Sequence, residues 1–332
     1  MMNIDIGFKV LRALLCLAFA ALASLQGASA ADAPAKIVRI GFLEVTEPGG
    51  PPLWVVHELA KLGYVEGKNL VVEYRGARND QDRLAELAAE LVKLNVDLII
   101  AISNRAAVAA QKATRTIPIV AWGAHGALEI GLVNNLARPG GNLTGVESLA
   151  PELDSKRVEF LKQIVPALAQ VAVLYDSGDQ ASPVHLKSTR RAAAALGVAV
   201  STLEVQRDED FGPVLQAAAG KPLGGVLIFT TGLTFLNIGR IMDFALVNRL
   251  PTACEFRELV QAGCLFSYGP NFIEFAQRNA AQIDKILKGT PPGDLPVEQM
   301  TRFELAINVK SAAALGVTIP KAMLMRANEI IQ

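Results

Sequence analysis

At 332 residues the chain is longer than one hydrophobic core usually serves, so two domains are expected. Its 32 Lys and Arg balance 32 Asp and Glu, and that neutrality argues against a nucleic-acid or anionic-membrane surface, both of which favour a marked basic excess. Aromatic residues are only 6% of a chain rich in Ala, Val, Leu and Ile, the composition of an α/β protein whose sheets are covered by Ala-rich helices.

Residues 1–30 read as an export signal. Lys9 and Arg12 precede an apolar run over 13–25, and Ala28-Ser29-Ala30 supplies the small-x-small pattern that predicts cleavage after Ala30. The run is too short for a membrane anchor, and no other stretch approaches the ~20 apolar residues of a transmembrane helix. Cys16 follows Leu14-Leu15 rather than small residues, which argues against lipid attachment there. Export leaves Cys254 and Cys264 in an oxidising compartment. They either close a short disulfide loop or are two small buried residues at strand ends; the sequence leaves both open.

The mature chain begins with a strand over 37–43 and a loop over 44–52 that carries two Gly and three Pro, with no phosphate-cradling pattern. A helix over 53–62 ends at Gly63, a turn spans 66–69, and a second strand covers 70–74. Leu84, Leu87, Ala88, Leu91 and Val92 give the next helix, 82–94, one apolar face. The continuous apolar run 98–102 has the length of a strand buried on both faces. Ser103 and Asn104 then break the run as N-cap residues for an Ala-rich helix over 105–115, and the strand 117–122 follows. Such a unit closes right-handed into a parallel sheet that binds ligands beyond its carboxyl strand ends. Pro139-Gly140-Gly141-Asn142 is a tight turn before the segment 143–148, and 149–154 is a linker.

From Ser155 the pattern restarts with a helix. Strands are expected over 171–175, 198–205, 225–230, 251–256 and 265–268, and helices over 184–196, 210–219, 235–249 and 257–262. Two consecutive alternating sets predict two doubly wound lobes with a cleft between loops at their strand ends. The remainder holds a long helix over 271–288, a proline-punctuated turn over 291–296, an extended segment over 297–308 and helices over 311–315 and 321–331. Too few strands remain for a third sheet. This section is therefore expected to add a helix to the first lobe and return to the second, crossing between lobes near Ala150, Pro270 and Met300.

Five segments carry a resemblance: GYVEGKNLVVEYR (63–75), ATRTIPIV (113–120), LARPGGNLTGV (136–146), FSYGP (266–270) and KILKGTPPGDLPVEQMTRFELAINVKSAAALGVTIP (285–320). Together they resemble the family of ABC transporter substrate-binding proteins that includes tryptophan/tyrosine-binding-like members. The resemblance covers essentially the whole mature chain. It implies a type I periplasmic-binding fold: α/β, with two doubly wound parallel-sheet lobes, 37–150 plus 269–298 and 151–268 plus 299–332, joined by a three-crossing hinge. It also implies a periplasmic monomer that closes on a small organic ligand and meets an ABC permease in the inner membrane, without catalysis. Where members commonly read GDPV after the strand ending at Trp122, this chain has Gly123-Ala124-His125-Gly126, and Cys264 stands where a second Gly is common. The resemblance therefore carries no single ligand identity.

Residues at carboxyl strand ends are the candidate ligand contacts. Ser103 and Asn104 cap a helix and also offer its first amides to a ligand carboxylate. Trp122 either stacks on a planar ligand or packs in the core, and His125 is a ligand contact or a solvated turn residue. Asp176 and Ser177 follow the first strand of the second lobe, with Asp176 a natural partner for a ligand amine; Thr230 and Glu255 follow later strands. Tyr268 and Asn271 flank a crossing, and Phe42 and Glu44 end the first strand. The ligand expected is an amino acid or a related aromatic or carboxylate compound. Catalysis finds no support: the three His residues (His57, His125, His185) are far apart, and no HExxH, GxSxG or CxxC pattern occurs. No cofactor or metal site is expected. The same fold also serves ligand-sensing modules that present a small molecule to a membrane signalling receptor, which stands as the alternative.

Overall fold

Short apolar runs alternate with Ala-rich helices along the chain, and the runs pair into two sheets. The computed structural model describes residues 37–45, 53–78, 80–148 and 150–332. The export segment with its cleavage after Ala30, and most of the loop 44–52, lie outside the described residues. Strands β1 (Val38–Glu44), β2 (Leu70–Gly76), β3 (Leu98–Ile102), β4 (Ile119–Ala124) and β5 (Leu143–Glu147), with β11 (Glu298–Gln299), form a parallel sheet in the order β11-β5-β4-β3-β1-β2. Strands β6 (Gln170–Asp176), β7 (Ala199–Val205), β8 (Val226–Ile228), β9 (Thr252–Cys254), β10 (Phe266–Pro270), β12 (Phe303–Asn308) and β13 (Glu329–Ile331) form the second, ordered β13-β12-β10-β9-β8-β6-β7. Each sheet repeats the 2-1-3-4-5 order of doubly wound folds. The second sheet departs from the expected all-parallel arrangement, because β12 runs antiparallel to β10.

Helices α1 (Leu53–Lys61), α2 (Gln81–Lys93) and α3 (Asn104–Ala113) belong to the first sheet. The second is covered by α4 (Ala150–Ile164), α5 (Ser182–Ala195), α6 (Phe211–Ala218), α7 (Gly232–Leu236), α8 (Ile238–Val247) and α9 (Arg257–Gln261). Then α10 (Phe272–Leu287) returns to the first sheet, while α11 (Val309–Leu315) and α12 (Lys321–Leu324) pack on the second. The apolar face of α2 lies where its spacing put it: Leu84, Leu87, Ala88 and Leu91 are buried in the core on one side of the first sheet, where the helix packs on β1, β2 and α3. The opposite face of that sheet takes α1 and Phe275, Ala276, Ala280 and Ile283 of α10. The central strands are thus sandwiched, which is why the runs of β1, β3, β4, β6 and β8 are apolar without alternation, whereas the edge strands β2 and β7 carry half-buried or exposed polar residues.

The chain passes between the sheets three times: from β5 into α4, from β10 into α10, and from β11 into β12. Some local expectations are corrected. Helix α4 starts at Ala150 rather than Ser155. The helix expected over 235–249 is two helices that meet at Asn237, whose amide donates to Asp208 Oδ1 (2.9 Å) and to the Leu233 carbonyl (3.1 Å). The terminal helix stops at Leu324, and Glu329–Ile331 instead joins the sheet beside β12. Cys254 and Cys264 form a disulfide with Cα atoms 6.6 Å apart. Among the described residues no helix is long and apolar enough to cross a membrane, and no group of three or more His, Cys, Asp and Glu could hold a metal.

Candidate functional site

In a doubly wound sheet the strand order reverses at one point, where neighbouring loops diverge and leave a crevice. Here the reversals fall at β1/β3 and at β6/β8, and the loops beyond them frame a cavity of about 260 Å³ between the two sheets. Glu44, Ser103, Trp122, Gly123 and His125 reach it from the first sheet, and Asp179, Thr230, Thr231 and Phe256 from the second.

Aromatic rings dominate its wall. The Trp54 and Trp122 ring centroids are 4.5 Å apart, Trp54 meets Phe272 edge-on at 4.5 Å, and Trp122 meets Phe275 at 5.6 Å. Phe256 packs edge-on against Phe272 at 5.5 Å, so the second sheet contributes to the same cluster. Phe235 of α7 completes the lining and is 41% exposed. Tilted and edge-on pairs of this kind hold the rings in place without closing the space between them.

The polar groups are few and fixed. Glu44 accepts a hydrogen bond from the Tyr74 hydroxyl at 2.7 Å. Ser103 caps α3 in a left-handed conformation, φ +93°, that costs a non-glycine residue about 1–3 kcal/mol. Asp179 accepts from the Asn104 amide at 2.9 Å and from the Ala181 backbone amide at 2.8 Å. The Thr230 hydroxyl is buried without a hydrogen-bond partner. Ser148 has a single hydroxyl proton, which it gives to Glu255 Oε1 at 2.8 Å, so its contact with His125 Nδ1 at 2.9 Å runs the other way. His125 therefore carries its proton on Nδ1, and in the neutral ring Nε2 is an acceptor.

Behind the cavity a buried polar network joins the two sheets. Arg105 pairs with Asp176, both 3% exposed; Asn104 reaches Asp179; and Ser148 reaches Glu255. Burial pushes the Asp176 carboxyl up to about 6, with Arg105 opposing the shift. His185 packs edge-on against His125 at 5.6 Å and bonds Asp154 Oδ2 at 2.6 Å. Burial disfavours its charged form, but the Asp154 carboxylate together with Glu255 and Asp179 outweighs that and raises its pKa above the ordinary imidazole value.

Of the residues expected from sequence, Glu44, Ser103, Trp122, His125 and Thr230 line the cavity. Asn104, Asp176 and Glu255 lie behind it in the network. Four lie away from this cavity. Phe42 is wholly buried among core side chains, because its position on β1 faces α1 and α10. Ser177 opens onto a separate groove with Tyr175, Lys187 and Arg190. The Tyr268 ring packs between Phe160 and Phe303, and Asn271 caps α10 while its amide holds Glu304. Sequence reasoning missed Trp54, Asp179, Phe272 and Phe275. Phe272 and Phe275 open a helix just after a crossing at i, i+3 spacing, and that position was the available signal.

Two doubly wound sheets, three crossings and a ligand-sized cavity between their strand ends define a type I periplasmic-binding fold. The chain belongs to the ABC transporter substrate binding protein family, whose model matches residues 55–331. It is 26% identical over 260 residues to a tyrosine-binding protein of Clostridioides difficile, covering 78% of this chain and 74% of that one. Among solved structures it is similar to a conserved domain protein of Vibrio cholerae, with a TM-score of 0.83 and 27% identity over 89% of this chain and all of that one (100%). It is also similar to the ABC domain from Streptococcus pneumonia in complex with L-Trp, with a TM-score of 0.81 and 24% identity, covering 89% of this chain and 99% of that one.

Proposed function

We propose that this protein captures a small organic solute with an aromatic body, an aromatic amino acid being the first candidate, and delivers it as a periplasmic monomer to an inner-membrane ABC permease. The observation that carries the reading is the cavity of about 260 Å³, walled by aromatic rings from both sheets and placed at their carboxyl strand ends. Its size and lining suit a single aromatic side chain rather than a sugar, which would need many more polar partners. The relatives that bind tyrosine and L-Trp support the same class. The mechanism is hinge closure: the lobes 37–150 plus 269–298 and 151–268 plus 299–332 separate about the three crossings, and a ligand touching both favours the closed form. The role is non-catalytic.

A thermal-shift screen of the purified protein against amino acids, aromatic acids, sugars, purines and short peptides tests it. A ligand at about 100 times its dissociation constant adds roughly 2.7 kcal/mol, a rise of a few degrees. Hits confined to aromatic amino acids and their analogues are expected; hits confined to sugars or purines would sink the assignment.

A further inference from the structure

The charge of the cavity is one-sided. Apart from His125, its only ionisable lining residues among those described are Glu44 and Asp179, one from each sheet, and no Lys or Arg joins them. The buried cation behind the wall, Arg105, is engaged by Asp176. Other lining groups can also accept from an N–H: Nε2 of the His125 ring in its neutral form, and the unpartnered hydroxyl of Thr230, which can donate as well. Around them stand the faces and edges of Trp54, Trp122, Phe256 and Phe272. An ammonium has three donors and no acceptor, so this set meets its hydrogen bonds and its charge together, and ring faces add cation–π attraction. A carboxylate without an ammonium would stand beside the Glu44 and Asp179 carboxylates with no Lys or Arg among the lining residues to offset it.

We propose that a protonated amine is the obligatory charged group of the ligand and that the carboxylate is dispensable: the cavity takes aromatic amines with or without a carboxylate, and rejects aromatic acids that lack the amine. The proposal rests on the cavity being the solute site, and it narrows the class of solute that enters.

Isothermal titration calorimetry of the purified protein with two matched sets tests it: L-tryptophan, tryptamine and indole-3-propionate, then L-tyrosine, tyramine and 3-(4-hydroxyphenyl)propionate. In at least one set the amine is expected to bind within about a hundredfold of the amino acid and at least about tenfold tighter than the acid. Any other ordering among sets that bind overturns the charge assignment while leaving the solute-binding reading intact. Binding by no member of either set overturns the aromatic reading and this proposal with it. Asp179→Asn and Glu44→Gln supply independent checks from the two sheets. At least one of them, with its thermal midpoint intact, should weaken the amine by about tenfold or more, and unchanged amine affinity in both would overturn the proposal.

Discussion

Two single residues set testable limits on the region beneath the cavity. Gly269 lies on β10 just before a crossing, where an added Cβ would stand 2.1 Å from the Glu255 carbonyl oxygen. Gly269→Ala is expected to lower stability by about 1–3 kcal/mol and to shift Glu255 away from Ser148, measured as a drop in the urea midpoint together with weaker ligand binding. His185 gives a pH dependence. Its folded pKa lies above the unfolded one, so the stabilisation it provides is complete below the ordinary imidazole value and is lost as pH rises through the folded value. Asp176 acts in the same direction at lower pH: with a folded pKa of about 6 against 3.8, the folded state holds the extra proton, and stability falls as pH rises across that interval. Chemical denaturation between pH 4.5 and 9 should show this decline, at no more than about 1.4 kcal/mol per pH unit per group, and His185→Gln should flatten its upper part. The sequence placed Glu44, Ser103, Trp122, His125 and Thr230 in the cleft because strand ends can be read from apolar runs. It could not separate Asp176, which pairs with Arg105, from Asp179, which lines the cavity, since the choice depends on a contact between distant segments.

At the level of elements, the disulfide closes β9 and the turn after α9 onto the start of β10 across a separation of 10 residues. Cys254→Ser with Cys264→Ser is expected to cost about 3 kcal/mol of stability, seen as a lower midpoint in the oxidised protein and no further loss on adding reductant. Arg157 on α4 is a second fastener: it is 1% exposed, pairs with Asp154, and donates to the Tyr268 carbonyl at 2.8 Å. Arg157→Met strands the buried Asp154 beside His185, with an expected loss of about 3–5 kcal/mol by the same denaturation assay. Most elements were legible because the central strands are short apolar runs and helices such as α2, α3 and α10 open at a capping side chain. The failures have local causes. The 235–249 segment keeps its helical pattern through Asn237, and only the side chain's bonds to Asp208 and Leu233 reveal the break. The terminal strand Glu329–Ile331 has too few residues for a period to show, and its pairing with β12 is a tertiary event.

For the whole molecule, side-chain bonds tie the two sheets together. Asn104→Ala removes the bond to Asp179 and the acceptor of the His125 backbone amide, leaves Asp179 its bond from the Ala181 amide, and is expected to favour separation of the sheets. Small-angle scattering should then give a larger radius of gyration for the unliganded variant than for the parent, converging at saturating ligand, and ligand affinity should fall by about three- to tenfold. The three crossings also govern how the chain can fold during synthesis. The first sheet lacks one covering face until Phe275, Ala280 and Ile283 arrive, and Leu295 and Met300 close the same core. The second sheet waits for β12 and β13, the last strands in the chain. One face of each half therefore stays incomplete while the ribosome still holds the final portion, and its burial waits on contacts of long sequence separation. A polypeptide built in this order seals its last interior surfaces only when its final strands and helices are in place, so loss of the C-terminal piece from α10 onward would open both halves at once.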